Sequence, residues 1–542
     1  MAPIAAGHPD AVVVCVATDY DGTRLAADKG NERLWGGLFP LFLNLVGKCQ
    51  ETDMLTLLSR RRRLCNGLSR RALLQAGGAG LCGLRGFSPV NLHGALQSGA
   101  LQSGAPRAKS VLFVYLFGGP SQLETFDMKP DAPSHIRGPF QPIAARTPGL
   151  RICEHLPRLA AASDRYCVVR TVNHPQNDHN AAHYIQTGHP MPPAERGPAN
   201  VNAAPNDWPS MGSVVEFLDR QRQRGGPASP LPSYIYLPNR HGEIQLGGRY
   251  DRLGQYGGWL GRQYNALATR IRKRASGDNP YYRACSDEEL NFQFQGLKPQ
   301  PAVSLDRLDR RRSLLDQFDH ARQRLLETGP IGDHREVCQQ AWEMLTSPAL
   351  REALDIRREP GPLRDRYGRN LFGQSLIVGR RMIEAGARFV TVIWDMPDGA
   401  PSGWDSHEEL STSLRDHLLP GLDQGFSALL EDLGQRGLLE ETLVVCVGEM
   451  GRTPRYENRG TPDGRDHWSY CFPALLAGPG VASGTLYGAS DRHAAYPLEK
   501  PVSPEDLAAT LFTALGIDPH APLLTRQGQP LPLVTGGHAL AL

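Results

Sequence analysis

The chain has 542 residues, of which 40% are hydrophobic and 21% charged, and this ordinary globular composition excludes a wholly disordered protein. Its formal net charge is only +3, and the basic excess lies within the N-terminal region, so the remainder is close to neutral. A near-neutral body argues against nucleic-acid binding through bulk electrostatic attraction.

The first recognisable feature in chain order has the architecture of an export signal. The basic run 60–63 precedes Ser-Arg-Arg-Ala-Leu-Leu at 69–74, and a weakly apolar stretch extends to Leu84. An apolar stretch of about twelve residues is too short to span a membrane. The Ser-Arg-Arg core resembles a twin-arginine (Tat) signal, an address read by a translocase, and an ordinary basic helix start is the alternative.

We therefore expect residues 54–107 to hold a twin-arginine signal and linker. The Tat translocase would be a partner during export to the periplasm or the cell exterior, and no transmembrane anchor is expected. Because Met54 is a sensible start, residues 1–53 are interpreted as an extension of the gene model.

The cysteines and glycines exclude several chemistries. The ten cysteines include no Cys-x-x-Cys pair, which leaves out zinc ribbons and thioredoxin-like redox chemistry. No Gly-x-Gly-x-x-Gly follows a strand in the right context, so a dinucleotide-dependent oxidoreductase has little support. Cys446 lies in an apolar run and is expected to be a buried free thiol.

Apolar runs alternate with helical patterns from Lys109 to the C-terminus. The predicted buried strands are Lys109–Phe117, Tyr166–Val172, Arg388–Trp394, Thr442–Val447 and Phe472–Ala477. The predicted helices are Met211–Arg224, Leu305–Leu326, Glu336–Ile356, Leu371–Ala385, Leu410–Arg436 and Pro504–Leu515. This alternation predicts an α/β fold with a doubly wound, mostly parallel sheet and helices on both faces. The region at about 190–330 is richer in Pro, Gly, Arg and Tyr and is interpreted as an insertion or cap on this sheet.

Ligands of doubly wound sheets bind beyond the carboxyl ends of the strands, so the residues after each strand are the candidates. After the first strand, Gly118 and Gly119 allow close backbone approach, and Ser121, Glu124 and Asp127 offer oxygen ligands. Such residues also cap loops, which is the alternative interpretation.

Five polar residues crowd the segment after the second strand, namely His174, Asp178, His179, His183 and His189. The spacing of His179 and His183 predicts that they share one face of a helix. Clustered imidazoles indicate a metal or anion site, although surface histidines would give the same pattern.

Two further sets follow later strands. Asp405 and His407 stand two residues apart and could converge on one cation from a loop. Glu449 and Arg452 come directly after Val447, and His467 follows within a Gly-rich loop. Carboxylates and imidazoles bind divalent metals, whereas arginine binds phosphate, sulfate or carboxylate. A structural ion pair is the alternative for Glu449 and Arg452.

With these residues assembled, the chain from about 54 to 540 resembles the family known as domain of unknown function 1501, in the alkaline phosphatase and sulfatase superfamily. The carriers are Leu-Ser-Arg-Arg-Ala-Leu-Leu at 68–74, Gly-Gly-Pro-Ser at 118–121, Thr-Phe-Asp at 125–127, Asp-His-Asn at 178–180, Thr-Gly at 187–188, Gly-Trp-Asp-Ser-His at 403–407, Gly-Glu-Met-Gly-Arg-Thr-Pro at 448–454 and Gly-Arg-Asp-His-Trp at 464–468. The resemblance implies an alkaline-phosphatase-like domain over 108–540.

The superfamily binds two divalent metals and hydrolyses phosphate or sulfate esters. Carried over by position, Asp405, His407, Glu449 and His467 resemble its metal ligands, and the resemblance implies a divalent metal cofactor (Zn, Mn or Ca). Arg452, Asp178 and His179 are the candidate catalytic residues, with Arg452 on the anionic group. Supporting residues would be Ser121, Asp127, His183 and Asp466.

Two departures from the superfamily bear on mechanism. Sulfatases carry Cys/Ser-x-Pro-x-Arg before a helix that ends in Thr-Gly, and alignment on Thr187-Gly188 puts Asp178 at the nucleophile position without the Pro or Arg. The first strand ends in Gly118-Gly119 where a metal-binding Asp is usual. These departures favour direct attack by water over a covalent intermediate. The resemblance thus implies an exported, metal-dependent hydrolase of a small-molecule or glycan ester. The alternative is a non-catalytic module on the same fold that binds a glycan or a partner.

Overall fold

The computed structural model describes residues 107–191, 202–223, 231–245, 250–271, 274–275, 277–294, 347–397, 403–456, 463–525 and 528–542. The predicted extension 1–53, nearly all of the predicted signal and linker, and the predicted helix Leu305–Leu326 lie outside these residues.

The body is built around a nine-stranded sheet. In chain order its strands are β1 (Ser110–Leu116), β2 (Cys167–Val172), β3 (Tyr234–Leu237), β4 (Leu267–Arg270), β5 (Gln293–Phe294), β6 (Phe389–Trp394), β7 (Thr442–Val447), β8 (Phe472–Ala477) and β9 (Thr485–Tyr487). Their order across the sheet is β9-β2-β8-β7-β1-β6-β3-β4-β5. β8 is antiparallel to both neighbours and β5 is antiparallel to β4, whereas the other pairs are parallel.

The central strand β1 explains why the sheet is covered on both faces. All seven of its residues are buried, and it pairs in parallel with β6 and β7, so that Val114 lies between Val392 and Cys446. Leu112 and Val114 point into one hydrophobic core, and Phe113 and Tyr115 into the other. Cys446 is buried and unpaired, which confirms the prediction of a free thiol.

Helices cover each of these cores. The helices are Pro157–Ala161, Ala181–Thr187, Met211–Gln223, Pro348–Leu354, Gly361–Tyr367, Leu371–Glu384, Leu410–Ser413, Leu419–Gln435 and Pro504–Ala514, with a π-helical turn at Leu414–Leu418. Leu371–Glu384 and Leu419–Gln435 pack on one face, and Met211–Gln223 and Pro504–Ala514 pack on the other. The predicted doubly wound, mostly parallel α/β fold is therefore confirmed.

Four two-stranded antiparallel sheets are described besides the central sheet. They are Pro142–Ala144 with Arg151–Cys153, Gly451–Arg452 with His467–Trp468, Ala489–Ser490 with Pro497–Glu499, and Pro522–Leu524 with Pro530–Pro532. Within the region predicted as a cap, β3, β4 and β5 extend the central sheet. No helix in the described part of the chain is long and apolar enough to cross a membrane. The carboxyl ends of β1, β2, β6 and β7 meet at one edge of the sheet, where the polar loops of the sequence come together.

Candidate metal centre

The centre of the site is the carboxylate of Asp405, which contacts three imidazoles. Its Oδ2 lies 3.1 Å from Nε2 of His179, and its Oδ1 lies 3.0 Å from Nε2 of His407 and 3.2 Å from Nε2 of His467. The Nε2 atoms of His407 and His467 are themselves 3.1 Å apart. Residues predicted from separate loops therefore converge within hydrogen-bonding distance.

Two overlapping groups could each hold a metal ion, His179 with Asp405 and His467, and His407 with Asp466 and His467. In each group, one ligand atom per residue lies within 4.8 Å of the others. Nitrogen and carboxylate-oxygen donors at this spacing fit a divalent transition metal. The five side chains keep between 14% and 27% of their surface exposed, so a solvated ion can reach them.

A short β-ribbon brings His467 to the cluster. Gly451–Arg452 pairs with His467–Trp468, with Arg452 opposite His467. The main-chain N–H of Asp466 donates to Oγ1 of Thr453 at 3.0 Å, and Asp466 Oδ1 lies 3.3 Å from Nδ1 of His407. The loop after β7 and the Gly-rich loop are thus hydrogen-bonded to each other beside the two groups of candidate metal ligands.

Glu449 lies outside both groups. Its carboxylate contacts Nδ1 of His179, whereas Nε2 of the same ring faces Asp405. The Glu449 carboxylate is fully buried and accepts the main-chain N–H of Gly118 on both oxygens, at 3.0 and 3.1 Å, and the hydroxyl of Tyr115 at 3.2 Å. Its Oε1 lies 2.8 Å from Nδ1 of His179, and the main-chain carbonyl of Glu449 lies 2.7 Å from Nε2 of His174. Glu449 therefore fixes the orientation of the His179 ring.

Arg452 is fully buried, and each nitrogen of its guanidinium donates to a protein acceptor. One Nη donates to Asp405 Oδ1 at 2.6 Å and to the carbonyls of Gly118 and Trp404, while Nε donates to the carbonyl of Gly119 at 3.1 Å. In this structure the guanidinium of Arg452 forms an ion pair with Asp405 and is not exposed to solvent, so an anion cannot contact it. Its ion pair is with Asp405 and not with Glu449.

The electrostatics of the cluster follow from these contacts. Burial opposes ionisation of Asp405, but Arg452 and His179 hold the pKa of its carboxyl well below the usual range. Burial also opposes protonation of His179, but Asp405 and Glu449 raise the pKa of its ring to about 9. Burial lowers the pKa of His467.

The other residues of the His-rich segment have local roles. Asp178 accepts the main-chain N–H of Asn180 at 2.8 Å and the side-chain amide of Gln176 at 2.7 Å. The helix begins only at Ala181, so the expectation that His179 and His183 share a helical face is wrong. His183 is buried, and its Nδ1 lies 3.0 Å from the carbonyl of His189.

The oxygen ligands predicted after β1 also bond locally. Ser121 donates to Glu124, which forms a fully buried ion pair with Arg465 at 2.7 Å. Asp127 is buried, accepts from Ser490 and lies 2.9 Å from Nζ of Lys129. These contacts hold the loop together, and neither Ser121 nor Asp127 belongs to a metal group among the described residues.

No sequence pattern marks Tyr115, Gly118 as a hydrogen-bond donor, or His241. Tyr115 looks like any other residue of a buried strand, and only knowledge of the neighbouring β7 shows that its hydroxyl meets Glu449. Gly118 has φ +118°, and a Cβ there would lie 2.3 Å from the main-chain nitrogen of Asp405. His241 comes from the region after β3, where no motif marked it.

A family model described as "Protein of unknown function (DUF1501)" matches residues 108–541. No sequence among the curated proteins matches. Among solved structures, the chain is similar to phosphonate monoester hydrolase SpPMH from Silicibacter pomeroyi, at 10% identity and TM-score 0.35, over 80% of this chain and 75% of that one. It is also similar to PsFucS1 sulfatase from Pseudoalteromonas sp., at 11% identity and TM-score 0.34, over 80% and 72%.

Proposed function

The chain belongs to the family of proteins of unknown function called DUF1501, and from its metal-ligand cluster we propose that it is an exported, metal-dependent hydrolase of phosphate or sulfate esters. The observation that carries the proposal is the convergence of three Nε2 atoms on the carboxylate of Asp405, at 3.0 to 3.2 Å. The metal and the substrate class are both part of the proposal.

The donor set favours zinc or manganese over calcium. Calcium takes six to eight oxygen ligands, whereas three imidazoles beside two carboxylates suit zinc or manganese. His179, Asp405 and His467 would hold one ion, and His407, Asp466 and His467 a second or alternative one. When bound, such a cation supplies Lewis acidity toward the ester oxygens.

We assign His179 to the ligands and Glu449 to its orientation. A metal-binding histidine commonly donates its other ring N–H to a carboxylate, which fixes the ring and raises its basicity. Glu449 stands at this position, 2.8 Å from Nδ1 of His179, while Nε2 of His179 faces Asp405. Arg452 holds Asp405 from the buried side.

Hydrolysis would proceed by direct attack of water on the phosphorus or sulfur atom, with the alcohol leaving and the acid released. Asp178 aligns with the superfamily's nucleophile, but its carboxylate accepts two hydrogen bonds within its own turn. A carboxylate engaged in this way is better suited to shape the turn before His179 than to form a covalent intermediate.

The test is to purify the protein, quantify bound metal, and assay aryl phosphates and aryl sulfates. We expect at least one divalent ion per chain and metal-dependent turnover, both lost in Asp405→Asn. The control is Asp423→Asn, because Asp423 is a buried carboxylate that accepts main-chain N–H groups of Arg158 and Leu159 and lies outside the candidate metal groups. The Asp423→Asn variant should be less stable than the wild type and should hold the same amount of metal. Absence of metal would contradict the proposal, and full metal without turnover on a broad ester panel would favour a glycan-binding module.

Export by the twin-arginine route is a separate part of the proposal, supported by Arg70 and Arg71 before an apolar stretch. The measurement is the distribution of the full chain between cytoplasm and periplasm. Replacement of both arginines by lysine should retain the precursor in the cytoplasm, because the translocase reads the arginine pair. Equal export of the two forms would contradict this route.

A further inference from the structure

His241 is held in place through its main chain in the loop after β3. Its N–H donates to Oε1 of Gln255 at 2.9 Å, and the amide of Gln255 returns a hydrogen bond to the carbonyl of His241 at 2.9 Å. The next residue, Gly242, donates its N–H to Asp395 at 3.1 Å, directly after β6. Two anchors therefore fix the backbone of His241 against the sheet.

The imidazole of His241, by contrast, has no hydrogen-bond partner among the described residues. The residue is only 1% exposed, and neither Nδ1 nor Nε2 is bonded in the described part of the chain. Two other buried histidines donate a ring N–H to a main-chain carbonyl, His174 to that of Glu449 and His189 to that of Leu533, each at 2.7 Å. A buried polar group without a partner is costly, and a water molecule, an ion or a ligand bound at the ring would remove that cost.

The unpartnered ring lies one side chain away from the metal cluster. It packs edge-on against Phe117, with centroids 4.3 Å apart, and Phe117 in turn lies 5.0 Å from the ring of His179. It also packs edge-on against Tyr115, 5.7 Å away, whose hydroxyl donates to Glu449. His241 is therefore positioned beside Phe117 and Tyr115, the side chains that contact His179 and Glu449.

The surroundings of His241 favour an anionic ligand. The guanidinium of Arg252 is 5.1 Å from the centroid of the same Phe117 ring and is 4% exposed. Its Nε donates to Gln245, which donates to the buried carboxylate of Asp395. Burial, together with Arg252 and His179, keeps the pKa of His241 well below its ordinary value, so the neutral ring offers one N–H donor.

We propose that His241 is a substrate-binding residue whose ring N–H donates to an oxygen of the phosphate or sulfate ester held at the cluster. The inference rests on the proposed function and adds the residue that contacts the oxyanion. It gives the loop after β3 a role in recognition, with Asp395, Gln245 and Gln255 as the residues that position it.

The test compares His241→Leu with His189→Leu, a matched loss of a buried histidine whose ring is partnered. Leucine has a similar volume and no polar atoms, so in His241→Leu we expect an unchanged or higher Tm and unchanged zinc content. Binding of inorganic phosphate or sulfate to the zinc-loaded protein, measured by calorimetry, should weaken about 10- to 100-fold. His189→Leu should lower Tm and leave both zinc content and anion binding intact.

The variant His241→Gln keeps an N–H donor and should recover part of the lost anion affinity. Suppose that the zinc-loaded wild type binds the anion. Unchanged anion binding in His241→Leu, or a fall in Tm like that of His189→Leu, would then overturn this inference and leave the proposed function intact. If the zinc-loaded wild type binds neither phosphate nor sulfate, the proposed function fails and the inference fails with it.

Discussion

The replacement Glu449→Gln tests whether this carboxylate orients His179 or binds metal itself. Glutamine has nearly the same shape but presents an amide where the structure needs an acceptor. Glu449 is fully buried and receives donors from the main chain of Gly118, the hydroxyl of Tyr115 and the ring of His179. At least one of these donors would face an N–H group in the variant.

The size of the effect follows from these contacts. Loss of the carboxylate that orients a metal-binding histidine typically weakens metal affinity about 10- to 100-fold. Leaving one buried donor unsatisfied costs about 1 to 3 kcal/mol of folding free energy. We therefore expect Glu449→Gln to bind the same number of zinc ions as the wild type, with an affinity about 10- to 100-fold lower and a reduced Tm.

Zinc affinity is measured by competition with a chromophoric chelator, and stability by thermal unfolding of the metal-free protein. The control is Glu216→Gln, because Glu216 is also buried and accepts the main-chain N–H groups of Ser233 and Tyr234. The Glu216→Gln variant should have a lower Tm than the wild type and the same zinc affinity. A Glu449→Gln variant with wild-type affinity would refute the orienting role, and one that binds fewer ions would instead make Glu449 a ligand.

Three further predictions concern the same edge of the sheet. Gly118→Ala should lower both Tm and zinc affinity, because φ is +118° and a Cβ would meet the main chain of Asp405 at 2.3 Å; wild-type values for both would contradict this packing. Because the pKa of His179 is about 9 without metal, zinc must displace its proton, so zinc affinity should rise about tenfold per pH unit between pH 6.5 and 8.5, and a flat profile would contradict it. Burial raises the pKa of Asp395 from 3.8 to about 6, so the folded protein binds this proton more tightly than the unfolded chain, and the free energy of unfolding should fall by up to about 3 kcal/mol as pH rises through this range. Asp395→Asn should flatten that profile in chemical denaturation, and an unchanged slope would show that other groups cause it.

Five of the nine strands in the described central sheet could be predicted closely, because each is a run of mainly apolar residues. Thr442–Val447 and Phe472–Ala477 have the bounds expected from the sequence. Strand direction could not be predicted, since the apolar run of Phe472–Ala477 is the same whether the strand is parallel or antiparallel. The short strands Leu267–Arg270 and Gln293–Phe294 carry too few apolar residues to stand out from the loops around them.

The site could be predicted in part, because motifs identify residue types but not their neighbours. The predicted ligands were Asp405, His407, Glu449 and His467. The side chains of Asp405, His407 and His467 lie within 3.2 Å of one another, whereas Glu449 lies outside both candidate metal groups. The spacing of His179 and His183 indicated a shared helical face, but the helix starts at Ala181, which leaves His179 in the preceding turn. That turn aims its ring at Asp405, a contact set by tertiary packing that no local pattern contains.

The most direct test of the central claim is anomalous diffraction at the zinc edge from a crystal of the zinc-loaded protein. We expect an anomalous peak bounded by His179 Nε2, Asp405 and His467, with a second peak at His407 and Asp466 if both groups fill. We also expect Glu449 to remain hydrogen-bonded to His179 Nδ1, outside the coordination sphere. A crystal with no anomalous peak at Asp405, or with zinc bound only at other residues, would contradict the assignment of this cluster as a metal centre.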